Sequence, residues 1–484
     1  MPSASAVAPG MPAKSGPQFD GLSEVFVQLA NHTNVNANQI FVVKGLIDLA
    51  ALTRSVGNAV SAIPLLRTRA HTPTGTLEQH NAAQDKLVWH RSFGAECDLS
   101  NSAFRHILMD FSDSMRIDWQ VRAPIQVLLV TGLHGATSCI YVNSHHGVAD
   151  ARSDCLLLQL IMRQYAQEAR HSVDHETPME LPFHSLQQIR PDWYTPLAKA
   201  QRWLGAAASV ALDLLRFDRG MKVPYWNSRW ECNASNPDIG RLDFFQSTVS
   251  DAVERRLRQA ALAAGVTINT VLFSALVRTL EKNNGASRAA IRVTCAVSLR
   301  RLVDPSYDST FRNYLVASNI RVDAGLATGK LLAHLQRSVQ HARSERRILT
   351  ELGRLELLVL LLRMRPLARF ALSLINRTQG TNACYSNPGV IEENFSCFGI
   401  PEHKTIQYTG FGCVIPPYDF ILYTPTVNGR MQLDVAYRRT CFPDIKASFV
   451  DVFNGELANI LDELLADERQ AQTVSTPAFE MDPS

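Results

Sequence analysis

Apolar and polar residues recur with two different periods along this chain, and the period marks where strands and helices are expected. Residues 37–67 open with a β-rich run at 40–43, turn at Gly45 and continue into a helix for which Asp48 is the natural N-cap. Between Pro124 and His146 two β-rich runs, 125–130 and 138–144, flank a segment containing Gly132 and Gly135, the pattern of an antiparallel hairpin. The following stretch, 152–169, repeats Leu156, Leu157, Leu160, Ile161 and Tyr165 at helical spacing, which predicts one face against a core and one toward solvent.

The texture changes over residues 187–227, where Pro191, Pro196 and Pro224 bracket an apolar helical stretch at 203–215 that reads as a crossover. Alternation resumes near Arg241, followed by a helix at 267–281, a strand at 291–297, strands at 318–322, 407–408, 419–423 and 431–437, and an amphipathic helix at 445–465. Strands and helices mix without regular βαβ alternation, so the predicted class is mixed α/β (α+β). A length of 484 residues favours two large lobes. The expected division is a disordered tail at 1–18, an N-terminal lobe at 19–190, a crossover at 191–224 and a C-terminal lobe at 225–484.

Composition narrows the function classes. With 46% apolar and 19% charged residues the chain has ample material for a core. A formal charge of +3 is too small for whole-chain attraction to nucleic acid, and no nucleic-acid partner is expected. The nine cysteines include no CxxC pair and several lie in apolar runs, as around Cys155 and Cys295, which predicts reduced, buried thiols and a cytoplasmic location. The first eighteen residues are rich in Ala, Ser, Pro and Gly and lack the basic-then-apolar layout of a secretory signal. The most apolar stretch, 355–375, is interrupted by Glu356, Arg363, Arg365, Pro366 and Arg369, which argues against a membrane span.

The string carrying most chemistry is His145-His146-Gly147-Val148-Ala149-Asp150, placed where a strand ends and a helix begins. Adjacent side chains on a strand point to opposite faces, so only one of the two histidines can address a given cavity. Three readings are open on the residues alone: satisfied core or surface histidines with Asp150 as a helix cap, a metal site, or a general base. The metal reading is weak because opposed side chains chelate poorly, HExxH is absent and no third ligand cluster has metal spacing. A neutral imidazole is suited to taking a proton from an alcohol or amine as it attacks a carbonyl. GxSxG is absent and no cysteine sits in a recognisable hydrolase setting, so direct transfer is preferred to an acyl-enzyme.

His145 to Asp150 with Ala151 resembles the HHxxxDG motif of the condensation-domain superfamily of acyltransferases. That superfamily includes nonribosomal peptide condensation domains, wax ester synthases and polyketide-associated acyltransferases and, more distantly, chloramphenicol acetyltransferase and the plant HxxxD enzymes. Other stretches are similar to the family in the same order: Gly45-Leu46-Ile47-Asp48 with Ile63-Pro64-Leu65-Leu66-Arg67-Thr68, then Gly265-Val266-Thr267-Ile268-Asn269-Thr270-Val271-Leu272. Val297-Ser298-Leu299-Arg300-Arg301 with Asn313-Tyr314, Ser386-Asn387-Pro388-Gly389, and Asn428-Gly429-Arg430-Met431 complete the series, so the resemblance runs from about residue 20 to about residue 465.

The resemblance implies two chloramphenicol-acetyltransferase-like lobes in a V with a central tunnel, and His146 as the catalytic histidine at its middle. His145 becomes a structural neighbour and Asp150 holds the motif loop in shape by pairing with an arginine, for which Arg67 is the matching position. Gly147 supports the motif. Ala151 stands where the motif has glycine, and would be strained there if that position needs a positive φ. Backbone N–H groups near Gly147 and the pair Ser386 and Asn387 are candidates for an oxyanion site or tunnel lining, although Asn-Pro-Gly is also turn chemistry by itself.

The expected activity is transfer of an acyl group from acyl-CoA or an acyl carrier protein to a hydroxyl or amine of a lipid or specialised metabolite. No permanently bound cofactor or metal is expected; acyl-CoA or a phosphopantetheinyl thioester is the co-substrate. The basic, apolar run at 343–377, with Arg346, Arg347, Arg354, Arg363, Arg365 and Arg369, is read first as a solvated helix face. Its alternatives are docking of a carrier protein, of coenzyme A phosphates, or of an anionic membrane surface. Rival functions are a non-catalytic, condensation-like recruiter of carrier proteins and a metal-dependent hydrolase.

Overall fold

The strand Asn36–Lys44 sends alternate side chains into two different cores, and this alternation organises the molecule. Phe41 and Val43 pack with Leu52 and Val56 of the helix Leu49–Ser61 and with Leu158 and Ile161 of the helix Ala151–Ala169. Ile40 and Val42 face the other way, joining Leu128, Tyr141 and Phe104 to Phe244, Ile421 and Ala436 from the second half of the chain. In this computed structural model the described residues are 20–72, 75–170, 180–215, 241–283, 290–302, 305–364, 367–368, 383–415, 418–439, 441–442 and 444–474. The expected tail at 1–18 and the crossover beyond residue 215 lie outside them.

The first sheet runs Thr405–Phe411, Asn36–Lys44, Thr137–His145, Ile125–Thr131, Val88–Ser92. The predicted hairpin is present as Ile125–Thr131 paired antiparallel with Thr137–His145, and every residue of the latter strand is buried. Gly45 turns the chain at φ +87°, and the Asp48 carboxylate then accepts the Ala51 N–H at 2.7 Å as the N-cap of Leu49–Ser61.

The second sheet runs Val390–Ile391, Thr426–Val427, Arg430–Arg438, Phe420–Tyr423, Ala383–Ser386, Ile291–Ser298, Leu315–Val322, with Leu242–Thr248 also on Arg430–Arg438. The helices Asp251–Ala263, Ile268–Asn283, Thr328–Ala342 and Asp451–Val474 supply its apolar cover. The molecule is therefore a mixed α/β protein of two sheet-and-helix halves.

The halves are interleaved. Thr405–Phe411, from the second half, is the edge strand of the first sheet, antiparallel to Asn36–Lys44. Conversely, Val25 and Leu29 of the N-terminal helix Gly21–Ala30 pack with Val359 and Leu362 of the helix Glu345–Arg363. Helix Pro196–Leu215, in the expected crossover, is tied to the same helix by Arg202 to Glu356 at 2.6 Å. The basic run is largely neutralised in place: Arg347 meets Glu351, Arg354 meets Asp213 and Arg363 meets Glu24. Arg365 and Arg369 lie outside the described residues. No single described helix is long and apolar enough to cross a membrane.

Candidate active site

The strand Thr137–His145 ends at the first histidine, and the helix Ala151–Ala169 begins one residue after Asp150, so the motif is the turn between them. The opposed directions expected for the two histidines are present. His145 is fully buried with its ring centroid 5.7 Å from that of Trp119. Its Nδ1 accepts the Gly147 N–H at 3.1 Å, while Nε2 has no hydrogen-bond partner among the described residues. Burial, reinforced by the neighbouring His146, pushes the His145 pKa down to about 3, so this ring is neutral and structural. Gly147 is required sterically: a Cβ there would lie 2.9 Å from His145 Nδ1 and 3.0 Å from the Ser23 carbonyl. Because its N–H is given to His145, Gly147 is not an oxyanion donor, which corrects that part of the expectation.

His146 lines the cavity between the halves. Its Nδ1 is 2.8 Å from the Ala149 carbonyl oxygen, and since a carbonyl only accepts, Nδ1 carries the proton. The Nε2 lone pair is thereby left for chemistry. A Cβ built on Gly412 would sit 3.4 Å from Nε2, so glycine at 412 keeps the approach open. Phe26 packs edge-on to the imidazole with centroids 4.7 Å apart. Burial lowers the His146 pKa, with the Ala149 contact and the Asp150 charge opposing it, and the ring is a neutral base at pH 7.

Asp150 does not touch the His146 ring. Its carboxylate accepts Ser153 N–H at 2.8 Å as the N-cap and Tyr314 N–H at 3.1 Å, and it pairs with Arg300. Arg300 Nε donates to Oδ2 at 3.1 Å and Nη2 to Oδ1 at 3.0 Å, a two-point bridge. Burial raises the Asp150 pKa most, but the Arg300 charge and the hydrogen bonds together outweigh it and hold the carboxyl below its ordinary value. The remaining Arg300 donors are spent on the Ser153 hydroxyl at 2.9 Å and on the carbonyls of Tyr307, Asp308, Thr310 and Arg312.

This corrects the assignment of Arg67. Arg67 ends the 3-10 turn Pro64–Arg67, is partly exposed, and pairs with Glu180 at 3.3 Å. A buried carboxylate needs a partner that is buried with it, and Arg300, which opens the 3-10 turn Arg300–Leu302 two residues after the strand Ile291–Ser298, meets that requirement. Asn313, two residues before Leu315–Val322, donates its side-chain N–H to the His146 carbonyl at 2.6 Å. Ala151 is the first helical residue and has no positive φ, so the missing glycine introduces no strain.

Of the other two candidates, Ser386 lines the cavity with His146. Asn387 instead accepts the Gly389 N–H at 2.8 Å, with Gly389 at φ +84°, and serves the turn. Among the described residues no group of three His, Cys, Asp or Glu side chains is placed to hold a metal. The cavity also receives residues the sequence reading did not name: Gln39, Asp154, Tyr408 and Gly412. Asp154 had a usable signal, since Ala151, Asp154 and Cys155 share one helix face by their spacing.

The two interleaved halves with the histidine at their junction make up the chloramphenicol-acetyltransferase-like fold of condensation domains. Solved structures with this fold match nearly the whole chain. The first condensation domain of the calcium-dependent antibiotic synthetase, in complex with a substrate analogue, is 13% identical with a TM-score of 0.64, covering 94% of this chain and 96% of that one. Polyketide synthase associated protein 5 from Mycobacterium tuberculosis is 14% identical, with a TM-score of 0.59 and 93% and 99% covered. The X-domain from teicoplanin biosynthesis is 14% identical, with a TM-score of 0.62 and 96% and 98% covered. No protein-family model and no curated protein sequence matches the chain.

Proposed function

We propose that this protein is an acyltransferase that moves an acyl group from a thioester, on coenzyme A or an acyl carrier protein, to the hydroxyl or amine of a lipid or specialised metabolite. The observation that carries the reading is the His146 hydrogen bond to the Ala149 carbonyl, which leaves an unprotonated Nε2 in a cavity lined by both halves. Nε2 takes the proton of the acceptor as its oxygen or nitrogen attacks the thioester carbonyl. The tetrahedral intermediate then expels the thiolate, which recovers that proton from Nε2 as the new ester or amide forms. Ser386, in the cavity wall, is the candidate donor to the oxyanion. Donor and acceptor meet in this cavity. Its apolar walls exclude water and favour transfer over hydrolysis.

Asp150 acts by position. Its bridge to Arg300 fixes the start of the helix that follows the motif, and with Asn313 on the His146 carbonyl it clamps the motif to the second half. A non-catalytic recruiting role is the second reading, favoured by the likeness to an X-domain that was solved in complex with OxyB. The deciding experiment incubates the purified protein with a panel of acyl thioesters and acceptors and reads products by mass spectrometry. Products made by the wild type and lost in His146→Ala support the enzyme; products unchanged in His146→Ala overturn it.

A further inference from the structure

The cavity wall carries one polar patch that the transfer scheme leaves unused. Asp154 lies one helical turn beyond Asp150 and lines the cavity together with Gln39 and Tyr408. Asp154 Oδ1 accepts the Ser144 hydroxyl at 2.7 Å, whereas Oδ2 meets Gln39 Nε2 at 3.5 Å, the outer limit of a hydrogen bond.

Gln39 is itself held from the other side, its Oε1 accepting the Tyr408 hydroxyl at 2.7 Å. Gly410 pairs with Gln39 across the two strands, and any Cβ at 410 would overlap the Gln39 amide, so the glycine makes the space in which that amide lies. Three separate segments thus cooperate to present one carboxyl oxygen. The surrounding wall is apolar, with Phe26, Leu315, Val316, Phe411 and Ile421 among its residues. A carboxylate can accept about four hydrogen bonds. Leaving such a group under-bonded in an apolar wall is costly, and the cavity is where a further donor can reach it. Burial, and after it the nearby Asp150 charge, raise the Asp154 pKa to about 7 against the lowering hydrogen bonds from Ser144 and Gln39.

We propose that Asp154 Oδ2 is the recognition point for a hydrogen-bond-donating group, an amine or a hydroxyl, carried by an otherwise apolar substrate, with Gln39 and Tyr408 holding the carboxyl in place. The assignment of that substrate to the acyl-transfer reaction rests on the function proposed above; the binding itself does not.

The test is calorimetric binding of hexylamine, 1-hexanol and 1-fluorohexane to the full-length protein, which needs no turnover. The wild type is expected to bind hexylamine or hexanol about tenfold or more tightly than fluorohexane, the effect of one good hydrogen bond to a carboxylate. Asp154→Asn, which offers the cavity a donor in place of an acceptor, erases that ratio. Tyr408→Phe, which frees the Gln39 amide while leaving Asp154 intact, reduces it. A preference confined to one of the two donors identifies the group as amine or hydroxyl. Equal or absent binding of all three probes by the wild type, or an unchanged ratio in a folded Asp154→Asn protein, overturns the proposal. Loss of product in His146→Ala is scored separately, so failure of the transfer reading and failure of this site are told apart.

Discussion

Asp150 and Arg300 meet across the junction of the two halves, with Nη2 of Arg300 3.0 Å from Oδ1 and Nε 3.1 Å from Oδ2 of Asp150. Both side chains are almost wholly buried, so removing one leaves the other as an uncompensated charge. Arg300→Ala is expected to cost about 3–5 kcal/mol in urea unfolding. Arg67→Ala, which breaks only a partly exposed pair with Glu180, should stay within about 0.5 kcal/mol of wild type. Equal effects of the two substitutions would contradict the pairing described above.

The free Nε2 of His146 makes a quantitative demand on kinetics. His146→Ala should lower kcat about 100- to 10,000-fold with little change in unfolding temperature. Since burial holds the His146 pKa below its ordinary value, the acid limb of kcat/KM should fall below about pH 6.5, with the base form already dominant above it. A pH profile with its acid limb at or above neutrality would show that another group limits the reaction.

Two buried titrating groups pull stability in opposite directions with pH. The folded pKa of His145 is depressed to about 3, so between there and about 6.5 the unfolded chain binds the extra proton and stability falls as pH falls. Asp154 is raised from 3.8 to about 7, so in that window the folded chain binds the extra proton and stability falls as pH rises. Asp154→Asn should therefore gain in Tm relative to wild type between pH 5 and pH 8 in a thermal unfolding series, a trend that a mere packing defect does not produce.

Gly412→Ala separates access from stability. Its methyl group would stand 3.4 Å from His146 Nε2 and 3.1 Å from the Tyr423 hydroxyl, and Gly412 is not held at a positive φ. The expected result is a fall in kcat/KM with a stability change below about 1 kcal/mol. By contrast Gly147→Ala meets His145 and a backbone carbonyl, and should destabilise by about 1–3 kcal/mol.

Much of the central architecture was legible because its signals are local. The period-two runs at 125–130 and 138–144, the Asp48 cap and the helical spacing after Asp150 each depend on neighbours a few residues away, and each element is present with ends shifted by a residue or two. The partner of Asp150 was not legible in that way. Arg67 and Arg300 both stand in strings that resemble the family, and choosing between them requires knowing which one the fold buries 150 positions away from the carboxylate. The polar wall was hidden for the same reason: Gln39, Asp154 and Tyr408 come from three separated segments, and nothing in the local pattern joins them. The Asn387 turn was one of the two readings its Asn-Pro-Gly sequence allowed, and the structure takes that one.

Because Thr405–Phe411 completes the sheet that begins near residue 36, severing the chain between its halves cannot yield two self-sufficient pieces. A fragment ending near residue 190 would bare the side of Asn36–Lys44 that pairs with Thr405–Phe411 over residues 38–43, leaving the amide and carbonyl groups on that side of a buried strand unsatisfied. Such a flank is a template for pairing with another copy, so a fragment truncated there should self-associate in solution more than the intact chain.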